Sequence, residues 1–233
     1  MENKFTPLMD FEIREATQKD ISWITAVKKS CWPEENADPD LIKNVLEAPH
    51  HSIQVAVCDD VIAGFVDSFL TNAGDGTPRW EVDLLAVHPE YRGRKLGEQL
   101  VRASIGTKLA KQATLTRALI QVENIASQVT FSRCGFQLEE QVCSLFISND
   151  QTQDSLLASV SLSLITVTTM NYRGLWLENE FTSESFRAAL SLLSSTLDIV
   201  GAIIPASQEA GCRAARKSGY KEIGQYQWWI WKI

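Results

Sequence analysis

The segment 84–97 constrains the fold more than any other, because an apolar strand runs through a glycine-bearing basic turn into a helix. Pro89 ends the strand, and apolar residues then recur at helical spacing over 96–109, which predicts a helix of about four turns. Such a turn directs backbone N–H groups and the positive helix end at one point. The segment therefore predicts a pyrophosphate site, although a basic turn before a helix is, taken alone, more often a solvated surface loop.

Composition narrows the class of protein. The 233 residues include 45% hydrophobic and 22% charged side chains, which is typical of a soluble globular protein. The net charge of −7 argues against nucleic-acid binding, since that needs a clustered basic face. The five cysteines form no C-x-x-C pair and, with three histidines, no zinc-ligand spacing. We therefore expect reduced thiols, no bound metal and a cytoplasmic location.

Two segments bear on membrane targeting. Residues 1–10 carry charged side chains and no apolar core, so no secretory signal is predicted. Residues 155–172 carry no charge over a length close to that of a membrane span. Serine and threonine alternate with apolar residues through most of this stretch, which predicts a half-buried strand and no membrane association.

Hydrophobic periodicity and turn residues predict alternating strands and helices over the first 147 residues. The predicted strands are 11–16, 52–57, 61–70, 80–87, 118–122 and 142–147. The predicted helices are 21–31, 39–48, 96–109 and 125–134. A polar run over 148–155 follows and is typical of a linker.

The C-terminal part repeats the order of elements predicted for residues 80–147. Its predicted strands and helices are 160–169, 184–197 (helix), 199–204, 208–217 (helix) and strand material to 233. At an offset of 84 residues, five of the thirty pairs over 118–147 are identical. We predict a domain over 1–148, a linker over 149–158 and a degenerate half-domain over 159–233.

Two motifs resemble those of the GCN5-related N-acetyltransferases (the GNAT family). Residues 92–97, Arg-Gly-Arg-Lys-Leu-Gly, are similar to the acetyl-CoA motif Arg/Gln-x-x-Gly-x-Gly/Ala, with Lys95 at the usual first glycine. Residues 124–136 resemble the pattern Asn-x(6)-Tyr-x(3)-Gly-Phe and follow at the expected distance. The resemblance covers 11–147 and implies an α/β fold with a mixed, mostly antiparallel sheet and helices on both faces, followed by a truncated second unit.

The resemblance also implies a coenzyme site, with acetyl-CoA as co-substrate. Backbone groups of Leu85 and Val87 would pair with the pantetheine arm where two strands splay apart. Asn124 would hydrogen-bond the coenzyme arm, and an N-cap for the helix at 125 is an equally good interpretation of that residue. Main-chain N–H groups of the turn would hold the pyrophosphate; its residues are Arg92, Gly93, Arg94, Lys95, Leu96 and Gly97.

Acetyl transfer to an amine needs a group that accepts a proton, since an ammonium ion has no lone pair. Glu81 and Asp83 lie two residues apart on a predicted strand, so their side chains share one face of the sheet. The resemblance favours Glu81 as the general base, and Asp83 is the second candidate. The plain alternative is that both form the polar half of an amphipathic strand.

Phe131 stands where the family commonly has a tyrosine that protonates the departing thiolate, and phenylalanine has no proton to give. One explanation is that the thiolate leaves without help near neutral pH, since an alkyl thiol has a pKa near ~8.5. The other is that Ser132, Cys134 or water supplies the proton. We expect Phe131 to keep only a packing contact with the coenzyme.

The C-terminal half lacks the chemistry of the turn. Residues 171–174 faintly echo 90–93, but Leu-Trp-Leu-Glu at 175–178 replaces the basic glycine turn, and Gln208 stands at the place of Asn124. We predict one coenzyme site per chain and a C-terminal half that completes the sheet or walls the acceptor pocket. Its tryptophans are expected in the core or an interface rather than against a substrate; they are Trp176, Trp228, Trp229 and Trp231.

The residues and the resemblance together predict an acetyl-CoA-dependent N-acetyltransferase. The resemblance implies that a primary amine attacks the thioester directly, without a covalent enzyme intermediate. The acceptor is a small molecule or a protein amine, and the chain is a monomer or a homodimer. Two alternatives stay open. One is a non-catalytic acyl-CoA sensor, which Phe131 favours, and the other is an interaction protein whose aromatic C-terminal strand docks a partner.

Overall fold

The strands form one continuous sheet, with helices on its faces, in the computed structural model, which describes residues 10–150 and 162–232. The strands are β1 (Glu12–Glu15), β2 (His51–Cys58), β3 (Val61–Asn72), β4 (Pro78–Val87), β5 (Leu115–Gln121), β6 (Phe136–Ser148), β7 (Ser163–Thr168), β8 (Arg173–Glu178), β9 (Ile199–Pro205) and β10 (Lys221–Trp231). The helices are α1 (Ile21–Cys31), α2 (Pro39–Glu47), α3 (Leu96–Ile105), α4 (Ile125–Arg133), α5 (Ser183–Leu190) and α6 (Glu209–Lys217). The order across the sheet is β1-β2-β3-β4-β5-β10-β6-β9-β8-β7.

Antiparallel pairs dominate this sheet. Among the described strands, only β4 with β5 and β8 with β9 run parallel, and a helix joins the two strands of each pair. Helices α3 and α4 cover one face over Trp80 and Val82, and α1 and α2 cover the other over Phe65 and Ala86. The prediction of a mixed α/β fold with a mostly antiparallel sheet and helices on both faces is confirmed.

The two halves of the chain, residues 10–148 and 162–232, exchange their last strands. β10 lies between β5 and β6 and pairs with both, whereas β6 lies between β10 and β9. The last strand of each half therefore lies beside the parallel pair of the other half, and the C-terminal half completes the sheet of the first. The aromatic end of β10, from Tyr226 to Trp231, pairs with β5 on one edge and with β6 on the other. The predicted linker over 149–158 lies, from 151 onward, outside the described residues.

The sheet curls until its second half meets the first again. β7 approaches β3, and Met170, in the turn between β7 and β8, is fully buried among side chains of α1, α2, β2 and β3. The Gly74 N–H donates to Glu178 Oε2 at 3.3 Å, and Arg79 Nη1 lies 2.7 Å from Glu178 Oε1. The space inside this curl is enclosed by strands of both halves.

Two helices are shorter than the apolar spacing predicts. α3 ends at Ile105, because Gly106 follows it and residues 110–112 form a separate 3-10 turn. α5 ends at Leu190 rather than at 197. Apolar residues beyond both ends, Leu109 and Leu193, still pack on the core clusters, so the apolar spacing continues where the helix does not.

Strand β8 contradicts the sequence-based prediction for residues 171–178. Residues 169–172 form the turn between β7 and β8, where the Thr169 N–H donates to the Tyr172 carbonyl at 2.8 Å. They therefore form no strand-to-helix turn. Leu175 and Leu177 are buried on either side of the half-buried Trp176, which is the alternation of a strand.

Candidate active site

Strands β4 and β5 separate midway along their length. Their parallel pairing extends only as far as Glu81 opposite Arg117, yet β4 continues to Val87 and β5 to Gln121. Among the strands that the structure describes, none pairs with β4 on that side beyond this point. A cleft between the two strands results, with unpaired backbone groups along its wall.

A β-bulge marks the point of separation. Asp67 of β3 lies opposite Leu84, whereas Ser68 lies opposite Val82, so Asp83 is the extra residue of β4. Bulges bend a strand and redirect its side chains. Here the bulge brings Asp83 to the inner end of the cleft.

A cavity of about 480 Å³ lies beside the cleft and the turn that precedes α3, and we call it the turn cavity. Residues Ala126, Ser127 and Thr130 of α4 form one of its walls. The predicted coenzyme-binding residues that line it are Leu85, Val87, Arg92, Gly93, Lys95, Leu96, Gly97 and Asn124. The fold therefore brings most of the predicted coenzyme-binding set to one place.

The backbone of the turn is shaped for an anion. Gly93 (φ 77°) and Lys95 (φ 59°) are both left-handed, a conformation that costs a lysine about 1–2 kcal/mol. The N–H groups of Gly93, Lys95, Leu96 and Gly97 donate to no other group in the described part of the chain. Unpaired N–H groups at the start of a helix form a phosphate-binding site, because the helix dipole adds to their charge.

The two arginines of the turn have contacts of their own. Arg92 Nε donates to the Val87 carbonyl at 3.1 Å, which occupies an acceptor that was expected to pair with pantetheine. The Arg94 guanidinium lies 5.7 Å from the centre of the Tyr91 ring and 5.9 Å from that of Phe11. Arg94 is thereby placed outside the lining of the turn cavity.

Helix α4 places Asn124 and Phe131 differently. Asn124 Oδ1 accepts from the Ser127 N–H at 3.1 Å as an N-cap, and the residue also lines the turn cavity, so its two predicted roles are compatible. Phe131 is buried in the core, with its ring centre 4.9 Å from that of Phe136. It does not line the turn cavity, and its packing contact with the coenzyme stays a prediction.

A second cavity, of about 500 Å³, lies inside the curl of the sheet, and we call it the shared cavity because both halves line it. Glu81 and Asp83 of β4 both face it, as expected for residues on one face of a strand. Ser132 and Cys134, the predicted substitute proton donors, line neither cavity. The shared cavity is also lined by residues that the sequence did not assign to any site. They are Thr71, Arg79, Arg117, Tyr172, Trp176, Phe181, Tyr226 and Trp228.

Glu81 is held by its neighbours. Its carboxylate accepts from Arg117 Nε through both oxygens, at 3.1 and 2.9 Å, and from Arg117 Nη2 at 2.9 Å. The Thr71 hydroxyl donates to Glu81 Oε1 at 2.8 Å, and the Arg117 guanidinium lies 3.8 Å from the centre of the Trp228 ring. These contacts occupy the oxygens that a general base would use, which argues against the prediction of Glu81 as that base.

Asp83 has a different environment. Within residues 10–150 and 162–232, no cationic side chain pairs with its carboxylate, which opens onto the shared cavity. Asp83 is solvent-accessible through the cavity, yet the protein around its carboxyl raises the pKa to about 7, and the negative charges of Asp67 and Glu81 add to this effect. Asp83 is therefore a carboxylate that changes protonation state near neutral pH.

The second half supplies aromatic side chains to the same cavity. Tyr172 and Trp176 lie with their ring centres 6.1 Å apart, and Trp228 covers Arg117. Burial raises the pKa of Tyr172, and the nearby charge of Asp83 raises it further, so the hydroxyl stays protonated at neutral pH. Trp176 and Trp228 thus line a cavity between the two halves, whereas Trp229 is a core residue as predicted.

No helix among the described residues is long and apolar enough to cross a membrane. No group of three or more histidine, cysteine, aspartate or glutamate side chains in that part of the chain is placed to hold a metal ion.

Solved structures resemble this fold over different lengths. A putative acetyltransferase from Pyrococcus horikoshii matches with a TM-score of 0.63 and 11% identity, over 100% of this chain and 93% of that one. A GCN5-related glucosamine N-acetyltransferase region of a fungal multi-domain β-N-acetylglucosaminidase matches with a TM-score of 0.64 and 12% identity, over 97% and 38%. An aminoglycoside N-acetyltransferase in complex with CoA matches with a TM-score of 0.51 and 24% identity, over 57% and 91%.

The family itself is shown by sequence. No curated protein matches the chain significantly. The model of the acetyltransferase (GNAT) family matches residues 17–136, which is more than half of the 233 residues and includes both the turn and α4. The chain therefore belongs to the GNAT family of acetyltransferases.

Proposed function

We propose that this protein is an acetyl-CoA-dependent N-acetyltransferase that acetylates a primary amine by direct attack on the thioester. The observation that carries the proposal is the unpaired N–H groups at the start of α3, which lie beside a cleft that leads to Asp83. Each half has its own task in this proposal. The first half binds the coenzyme, and the second half walls the acceptor pocket.

The turn cavity suits the two ends of the coenzyme arm. The N–H groups between Gly93 and Gly97 would hold the pyrophosphate, and the open edge of β4 offers backbone partners to the pantetheine amides. A Cβ at Gly97 would lie 3.3 Å from Thr130 Cγ2 and 3.6 Å from Leu85 Cδ2. Glycine is therefore favoured at this position, where α3 approaches both α4 and β4.

Asp83 is the general base in this proposal. The acceptor enters as an ammonium ion and must lose a proton before it attacks, and a base with a pKa near the working pH does this best. Asp83 lies at the inner end of the cleft, with its carboxylate free to accept. Glu81 acts as a positioning residue that holds Arg117 against Trp228.

Departure of the thiolate needs no side-chain acid in this arrangement. Phe131 lies in the core, Ser132 is exposed to solvent, and the Cys134 thiol is directed at the Glu98 carbonyl at 3.5 Å. Because an alkyl thiol has a pKa near ~8.5, its thiolate is an acceptable leaving group near neutral pH. These positions favour the explanation in which the coenzyme leaves unaided or takes a proton from water.

The test combines binding with turnover. Calorimetry with acetyl-CoA should give saturable binding, and release of free thiol should rise when a primary amine is added. Binding without thiol release for any amine would identify a non-catalytic acyl-CoA sensor instead. No binding of acetyl-CoA would overturn the coenzyme assignment and every role that depends on it.

A further inference from the structure

The charges that line the shared cavity are almost balanced. Glu81 is paired with Arg117 at 2.9 Å, and Arg79 with Glu178 at 2.7 Å. Asp83 is the remaining charged residue of the lining, and no cationic partner accompanies it among the described residues. The cavity therefore presents one uncompensated carboxylate, which one ammonium group would neutralise.

The rest of the lining is mostly apolar and rich in flat rings. Aromatic side chains come from β3 of the first half and from four separate parts of the second half. They are Phe69, Tyr172, Trp176, Phe181, Tyr226 and Trp228. Rings of this kind bind a flat apolar group by area burial and by ring–ring contact, and they attract a cation through their faces.

We propose that the shared cavity selects small amines that carry a single positive charge on an aromatic body, that is, monocationic arylalkylamines. The inference rests on the proposed function and adds the chemical class of its acceptor. The volume of about 500 Å³ suits a small molecule. The ammonium would lie against Asp83 and the ring against the aromatic wall of the second half.

Polycationic amines fit the same lining poorly. A second ammonium group would lose its water beside aromatic and aliphatic side chains and would find no second free carboxylate. Arg79 and Arg117 already pair with Glu178 and Glu81, so these carboxylates are not free to pair with a second cation. The second half thus acts as the specificity-determining wall of a site whose chemistry belongs to the first half.

The test compares matched acceptors at a fixed, saturating concentration of acetyl-CoA. We expect kcat/KM for 2-phenylethylamine to exceed that for butylamine by about 30-fold, because a buried ring adds apolar area. The value for butane-1,4-diamine should be lower still, on the order of 100-fold below 2-phenylethylamine, since a site rejects a charge that it cannot pair. Kanamycin serves as the bulky polycation and should not be acetylated measurably.

The outcomes separate the two proposals. A preference for butane-1,4-diamine or kanamycin overturns this inference and leaves the acetyltransferase proposal intact. Thiol release from no amine, with acetyl-CoA bound, overturns both. Direct calorimetric titration with 2-phenylethylamine gives a readout without turnover, and binding no tighter than that of butylamine would also contradict the inference.

A variant locates the selectivity. Trp176→Leu should raise KM for 2-phenylethylamine about tenfold and leave KM for butylamine nearly unchanged. Trp23→Leu, on the exposed face of α1, is the matched control and should change neither value. An equal rise for both amines in Trp176→Leu would mean a general structural effect and would overturn the role of this ring. If Trp176→Leu does not fold, the calorimetric comparison on the unaltered chain decides.

Discussion

The second half of this chain repeats the order of elements from β3 to β6 of the first, but its parallel strands stay paired where those of the first half separate. In the first half, β4 and β5 separate after Glu81 and Arg117, and a basic turn leads into α3. In the second half, β8 and β9 stay paired to Leu177 and Ala202, close to the end of β8 at Glu178. The cleft exists only where the parallel pair opens.

The residues at the last pair before β4 and β5 separate explain the difference. The offset of 84 residues that relates the halves places Gly201 at the position of Arg117, and strand pairing then places Trp176 at that of Glu81. An ion pair in the first half is thus replaced by an indole ring lying on a glycine. A Cβ at Gly201 would lie 2.6 Å from Trp176 Cζ3, so the ring needs that glycine.

The turns that follow the two strands differ in charge. After β4 come Arg92, Arg94 and Lys95, whereas after β8 come Asn179 and Glu180, both left-handed. An acidic turn repels a pyrophosphate. The comparison supports the proposal that one half binds the coenzyme, while the other half walls the acceptor cavity.

The largest expected effect concerns the carboxylate that only the first half provides. Asp83→Asn should lower kcat by about 10²- to 10⁴-fold, the usual contribution of a general base, with little change in acetyl-CoA affinity. Steady-state kinetics and calorimetry measure the two quantities. Asp75→Asn, in the loop after β3, removes the same charge and should leave kcat unchanged. A loss below fivefold in Asp83→Asn would assign the proton to another acceptor.

The next effect concerns the second half, in which β8 and β9 stay paired. Gly201→Ala should lower the free energy of unfolding by about 1–3 kcal/mol, because the new methyl group overlaps the Trp176 ring. Urea denaturation measures it. The double variant with Trp176→Leu should recover part of the loss, since the ring is gone. Acetyl-CoA affinity should not change in either variant, and a change would mean that the second half contributes to the coenzyme site.

A matched pair of glycines, one in each half, tests the turn of the first half. Gly93 (φ 77°) and Gly219 (φ 86°) are both left-handed, and a Cβ at either would meet no atom within 4 Å. Alanine at either position should therefore lower the free energy of unfolding by about 1–2 kcal/mol through backbone strain alone. Acetyl-CoA affinity should fall about 5- to 30-fold in Gly93→Ala, if the turn relaxes, and stay unchanged in Gly219→Ala. An equal loss in both variants would contradict binding at the turn.

Local patterns predict the first half well. Periodicity gave the strands and helices around the turn, and the glycine pattern of 92–97 indicated the family, because these signals depend on neighbouring residues. Sequence placed Asn124 at the start of α4, where it lies. It overestimated the lengths of α3 and α5, because apolar residues beyond both helix ends still pack on the core.

Features that depend on distant pairing could not be predicted. The bulge at Asp83 comes from the register with β3, and the contact of Glu81 with Arg117 joins residues of two strands separated by α3. The exchange of β6 and β10 joins residues of both halves. The aromatic wall around Trp176 and Trp228 follows from the curl of the whole sheet, and no local pattern marks it.

The smallest effect concerns the environment of Asp83, which the second half helps to enclose. A base must be deprotonated to act, so kcat/KM should rise with pH through about 7, the pKa to which the surrounding protein raises the Asp83 carboxyl. Asp67 adds a negative charge that raises this pKa further. Asp67→Asn should therefore move the midpoint of the pH profile to lower pH. The value of kcat/KM at alkaline pH, where Asp83 is deprotonated in both proteins, should change least.

Asp67→Asn needs its own control, because Asp67 is fully buried and lies 3.2 Å from His51 Nδ1. A thermal denaturation at each pH separates unfolding from titration, and Asp75→Asn again supplies loss of the same charge at a distance. A midpoint that stays in place or moves to higher pH would mean that Asp83 does not set the profile. A pH titration of Asp83 by NMR that gives the same shift would show that this carboxylate controls the rate. Since both halves line the cavity around Asp83, both would then influence the rate.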